Sequence, residues 1–193
     1  MIDFATATTE LARVVAGVRD DQLSLPTPCP GWDVADLVDH VQGCARGFTA
    51  AARKQDLDDD PPEPDGTNLD AGWREAIAAE LETLAAAWRD GDAWEGRTRI
   101  AGVEQSGAEC AATALDEVVV HTWDLARATG QDCSLDPAAV AGALAFARAV
   151  SQQAPDGVPG LFGPAVEVPS DADAETALLA LTGRDPGWSA TAG

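Results

Sequence analysis

Apolar residues recur along most of this chain at the three-and-four spacing that turns one face of a helix toward a core. Phe4, Leu11, Val14, Val15 and Val18 predict a first helix, with Asp3 as its N-cap. Asp33 caps a second, from about Val34 to Lys54, that turns Leu37, Val41, Cys44 and Phe48 inward. The cleanest pattern is Trp73, Ile77, Leu81, Leu84 and Trp88, at steps of four, four, three and four. A fourth helix runs from about Gly107 to Thr129 and is closed by Gly130, a suitable left-handed cap. A fifth begins near Pro137, a good first-turn residue, and continues to about Gln152. A short helix is expected around Ala174 to Leu181. The pattern predicts an all-α helical bundle over about residues 3–152, with a helical C-terminal extension over about 153–193, as one domain of 1–193.

Between these elements the chain breaks where backbone chemistry requires it. Leu25-Pro-Thr-Pro-Cys-Pro-Gly-Trp32 cannot be helical, because proline removes donors and restricts its predecessors. Asp56 to Gly66 is acidic and proline-rich, an exposed loop and not a domain linker. Asp90-Gly-Asp92 ends the third helix, and Arg97 to Val103 reads as a short strand, with no sheet beyond a hairpin.

The chain has only two histidines, and His121 follows Glu117 by one helical turn. Cys110, Ala114, Glu117, His121, Asp124 and Ala128 form the stripe that a bundle helix turns toward its partners, and Ala111, Leu115, Val118, Thr122 and Leu125 the adjoining core stripe. A carboxylate at such a seam is costly unless something pairs with it, and a metal ion is one such partner. His40 lies on the second helix beside Leu37 and Cys44. Histidine nitrogen and carboxylate oxygen suit Zn²⁺, and three protein ligands with an open fourth position mark a catalytic site. On spacing alone a second reading stays open: His121 hydrogen-bonded to Glu117 inside the bundle, with His40 elsewhere. Asp124 reads equally as a partner for an imidazole N–H or as a surface acid. Arg127, three residues on, pairs with Asp124 or binds a substrate carboxylate, the pair being the simpler reading.

Composition narrows the partners. Twelve basic against thirty-three acidic residues in 193 give a net charge of -21, which argues against nucleic acid or an anionic membrane. No apolar run spans a bilayer, and Met-Ile-Asp-Phe-Ala lacks the basic start and apolar core of a signal peptide, so a cytoplasmic protein is expected. Cys29, Cys44, Cys110 and Cys133 show no CxxC spacing and read as reduced thiols that mostly pack as small hydrophobes. Trp32, Trp73, Trp88, Trp94 and Trp123 read as core or loop plugs, with Trp32 fixing the turn before the second helix.

Two blocks, Pro26-Thr-Pro-Cys-Pro-Gly-Trp-Asp-Val-Ala-Asp-Leu-Val-Asp-His40 and Asp116-Glu-Val-Val-Val-His-Thr-Trp-Asp-Leu-Ala-Arg-Ala-Thr-Gly130, resemble the mycothiol-dependent maleylpyruvate isomerase N-terminal family. That family belongs to the DinB-like superfamily of metal-binding four-helix bundles. The ending Leu178-Leu-Ala-Leu-Thr-Gly-Arg-Asp-Pro-Gly-Trp188 is similar to that of an actinobacterial subfamily. The resemblance implies a divalent metal, Zn²⁺ with Ni²⁺ or Mn²⁺ also fitting, on His40, Glu117 and His121. It also implies mycothiol or a similar small thiol as cosubstrate, and an electrophilic partner. The family's isomerase draws part of its site, including an arginine, from a separate C-terminal domain, whereas the segment after Gly130 here is short. Thiol transfer or conjugation therefore fits better than maleylpyruvate isomerisation. A non-enzymatic metal or small-molecule binding module and a metal-dependent hydrolase are the alternatives. Related bundles pair through helix faces, so a homodimer is expected.

Overall fold

The computed structural model describes residues 2–55, 62–158 and 160–190. Four helices form the bundle: α1 (Ala5–Gly17), α2 (Val34–Ala52), α3 (Trp73–Ala87) and α4 (Gly107–Thr129). The principal contacts run α1 to α3, α3 to α2, α2 to α4 and α4 back to α1, which sets α1 opposite α2 and α3 opposite α4. Then α5 (Pro137–Gln153) packs on α4, and α6 (Ala174–Leu181) packs on α5. Among the described residues the fold is all-α apart from one hairpin.

The helix ends follow from local chemistry. Asp3 accepts a bond from the Ala5 amide, and Asp33 and Asp36 exchange reciprocal bonds that open α2. That helix stops at Ala52, two residues short of the expected end, and Lys54 turns left-handed at φ 56. β1 (Arg97–Ile100) pairs antiparallel with β2 (Val103–Ser106), Arg97 opposite Ser106 and Ile100 opposite Val103. Ala101 and Gly102 turn the chain between them, both with positive φ, as a two-residue hairpin of matching twist requires. Ser106 then caps α4, in a reciprocal pair with Glu109.

The core joins all four bundle helices through fully buried side chains such as Val14, Leu37, Ile77 and Leu115. Trp88 seals one end between Phe4 and Trp94, with ring centroids 5.9 and 5.7 Å away. Because α5 covers its outer side, α4 is buried almost all round from Leu115 to Ala126, and the split into a seam stripe and a core stripe disappears. All four cysteines are free thiols. The acidic loop expected over 56–66 lies in part outside the described residues. Its end is tied to α2, where Asp39 and Asp36 accept bonds from the Asp65 and Gly66 amides. No helix among the described residues is long and apolar enough to cross a membrane.

Candidate metal centre

Two neighbouring helices bring the predicted side chains together. His40, two turns into α2, places Nε2 3.2 Å from Glu117 Oε2, and His121 on α4 places its Nε2 2.9 Å from the same oxygen. The two imidazoles meet edge to face, centroids 4.8 Å apart, and the three donor atoms lie within 4.8 Å of one another. Nitrogen and oxygen donors on a tetrahedral zinc, at about 2.0–2.1 Å each, stand about 3.3 Å apart. The His40–Glu117 and His121–Glu117 separations are close to that spacing, so this donor set fits a divalent ion.

His121 uses its other nitrogen to hold position. Nδ1 lies 2.9 Å from Asp124 Oδ2, the arrangement in which a histidine donates Nδ1–H to a carboxylate and presents Nε2. Asp124 is fully buried, so it is not a surface acid. Nor does it pair with Arg127, whose guanidinium lies over the Trp123 ring. Its counter-ion is Arg184, from the C-terminal segment, with Nη2 3.0 Å from Oδ2 and Nε 3.4 Å from Oδ1. The approach of Arg184 is built by the end of α6. The Arg184 amide bonds to Leu179 O and the Gly183 amide to Ala180 O, the paired bonds of a Schellman motif. Gly183 sits at φ 80 against the Gly163 backbone, where a Cβ would come within 2.9 Å. The same motif, with Gly130 in the left-handed position, closes α4.

Cys29 completes this inner cluster. The proline-rich turn is pinned by Thr27, whose hydroxyl donates to Trp32 O and accepts from the Cys29 amide. It buries Cys29 with Sγ 3.2 Å from Asp124 Oδ2 and 4.0 Å from His121 Nδ1. Cys29, His121 and Asp124 thus form a second group of donors close enough for one ion. Arg184 Nη2 already stands 3.0 Å from Asp124 and 3.7 Å from Cys29, so a dication there would face a fixed cation. His40, Glu117 and His121 form the other such group of donors. Trp32 lies against the His40 ring at 4.8 Å, more than a plug for its turn.

Charge in the site is organised around His121. Burial alone would raise the Glu117 pKa, but hydrogen bonds and charge from His121 and His40 outweigh it and hold the carboxyl well below its usual range. Burial would likewise discharge His121, yet Asp124, Cys29 and Glu117 together push its pKa well up. Asp124 stays ionised against its burial through Arg184 and His121. Beside them, burial and the charge of Glu117 push Asp116 well up, and its Oδ1 has no hydrogen-bond partner among the described side-chain contacts.

Exposure differs across the site. Its inner side borders a cavity of about 10 Å³, walled by Leu11, Val41, Phe48 and Leu81 beside Glu117 and His121, room for about one water. The His40 side chain is 23% exposed and that of His121 7%, so access is past His40.

Residues 4–126 match the family model described as the mycothiol maleylpyruvate isomerase N-terminal domain. The chain belongs to this family. Two similar relatives are the uncharacterized proteins MT0763 and Rv0738 of Mycobacterium tuberculosis strains CDC 1551 and H37Rv. Each is 36% identical over 140 residues, 72% of this chain and 72% of the relative. Among solved structures, a histidine-to-alanine mutant of the mycothiol-dependent maleylpyruvate isomerase aligns with a TM-score of 0.57 at 19% identity. The alignment covers 77% of this chain and 69% of that one. That likeness places the fold in the DinB-like class of bundles, with extra C-terminal helices.

The family match ends at residue 126, so Arg184 lies beyond it, whereas Cys29 lies within it. Arg184 reaches the site from 60 residues beyond Asp124. Cys29 stood in the proline-rich block as an ordinary packing thiol. The signal available for Arg184 was its place directly after Gly183, itself after a short helix, in a chain with few cations.

Proposed function

We propose that this protein is a metal-dependent enzyme that activates a low-molecular-weight thiol of the mycothiol type and transfers it to an electrophile. The observation that carries the reading is the convergence of His40 Nε2 and His121 Nε2 on one oxygen of Glu117, at 3.2 and 2.9 Å. Zinc suits the two nitrogens and one oxygen best, with Ni²⁺ and Mn²⁺ compatible. A bound dication would supply the charge that turns a thiol into a thiolate near neutral pH.

The protein's own residues prepare that chemistry. One carboxylate, Glu117, and two neutral imidazoles leave a dication with one net positive charge to hold a thiolate. Asp124 fixes the His121 ring through Nδ1, and Arg184 keeps Asp124 ionised. Trp32 backs the His40 ring, and the apolar inner wall keeps bulk water from the buried side. The family to which the chain belongs, and the mycothiol dependence of the isomerase of similar fold, support mycothiol as the thiol.

The test compares zinc-loaded and metal-depleted protein with mycothiol and a generic alkylating electrophile such as monobromobimane. The loaded protein conjugates the two faster than the uncatalysed rate, and depletion abolishes the difference. A catalysed rate that survives metal removal contradicts the proposal.

A further inference from the structure

Cys44 follows His40 by one turn of α2, and its thiol lies beside two of the candidate ligand atoms. Sγ lies 3.3 Å from His40 Nε2 and 3.9 Å from Glu117 Oε2. It also borders the small cavity that Glu117 and His121 line. A sulfur and a nitrogen or oxygen on one tetrahedral zinc, with bonds of about 2.3 and 2.0–2.1 Å, stand about 3.6 Å apart. The two observed separations bracket that value. Cys29, the other thiol near the site, lies beside Asp124 and the Arg184 guanidinium instead.

Building on the metal site proposed above, we propose that Cys44 Sγ is a fourth protein donor to the ion. With an ion bound, the Glu117 carboxylate and the Cys44 thiolate would leave a dication neutral, whereas burial and the Glu117 charge alone push the Cys44 thiol well up. With an ion held there, Cys44 would be the donor that an incoming small thiol displaces, and its sulfur would take up the proton that the incoming S–H gives up, a ligand exchange with no change of oxidation state. His40, Glu117 and His121, engaged as ligands, would not be free to accept that proton.

Cobalt(II) titrated into tag-free, metal-depleted protein tests this by absorption, because thiolate–cobalt bonding adds an intense near-ultraviolet band that nitrogen and oxygen ligands do not. The band should grow to saturation at about one equivalent, persist in Cys29→Ser, and vanish in Cys44→Ser while that variant still binds the ion. Cobalt binding without the band overturns the role of Cys44 and leaves the three-ligand site standing. A band lost in Cys29→Ser and kept in Cys44→Ser overturns it in favour of the inner cluster. No cobalt binding at all removes both proposals. On the unsubstituted protein, zinc should slow iodoacetamide alkylation of Cys44 about tenfold or more, mapped by mass spectrometry, and leave Cys133 unchanged. Equal alkylation of Cys44 with and without zinc contradicts the assignment.

Discussion

Replacing Asp124 with Asn keeps the shape of the side chain and removes its charge. That carboxylate holds His121 Nδ1 at 2.9 Å and Arg184 Nη2 at 3.0 Å, and has no exposure of its own. In Asp124→Asn the guanidinium, 11% exposed, loses its ion-pair partner. Breaking one side of a buried pair costs about 3–5 kcal/mol. Against a total of about 5–15 kcal/mol for a domain, that shifts unfolding to clearly lower denaturant. The same change frees the His121 ring and should weaken zinc binding about 10–100-fold. The two effects separate in the double variant Asp124→Asn/Arg184→Met, which removes the stranded charge. Most of the stability should return, and the lost metal affinity should not. Urea unfolding of the metal-free proteins, followed by tryptophan fluorescence, reads the first effect, and zinc competition with a chromophoric chelator reads the second. A loss below about 1 kcal/mol in the single variant would show that the pair behaves like an exposed one. Recovery of zinc affinity in the double variant would remove Asp124 from the metal site.

In the metal-free protein His121 is held protonated above its usual range, so zinc must displace a proton, and affinity should rise about tenfold per pH unit until the raised pKa is passed. Calorimetry in buffers of different ionisation enthalpy counts that proton; an affinity flat between about pH 6 and 8 contradicts it. For stability without metal the signs oppose. The contribution of His121 is full below the ordinary imidazole range and lost as pH rises through its raised value. Those of Glu117 and Asp124 are present above the ordinary carboxylate range and lost as pH falls through their depressed values. The metal-free protein should therefore be most stable between those limits, which denaturant midpoints against pH would check. Gly183→Ala forces an L-residue to φ 80 and sets a Cβ 2.9 Å from Gly163, so it should cost about 1–2 kcal/mol or more and, by displacing Arg184, reduce zinc affinity. Leu115→Ala, at a fully buried site, should cost about 2–5 kcal/mol with metal stoichiometry unchanged, as the same unfolding and binding assays would show.

The helices were legible because their periodicity and their stop signals agreed. Gly107–Thr129 and Ala174–Leu181 occur with the expected bounds, and His40, Glu117 and His121 meet as two inward helical faces required. The residues that failed did so for physical reasons. The hairpin turn needs a left-handed Ala101, which no propensity announces. Asp124 and Arg127 have the spacing of a helical pair, but spacing cannot show that α5 and the C-terminal segment bury one side of α4 and bring a better cation. Cys29 and Arg184 lie 155 residues apart, and only the closed bundle sets one against the other.

The central claim is that His40, Glu117 and His121 hold one divalent ion. Elemental analysis of tag-free protein, purified without added metal or chelator, tests it most directly beside His121→Ala prepared the same way. About one equivalent of zinc or a similar dication per chain is expected in the wild type, and almost none in the variant. Full metal retention in His121→Ala would contradict it.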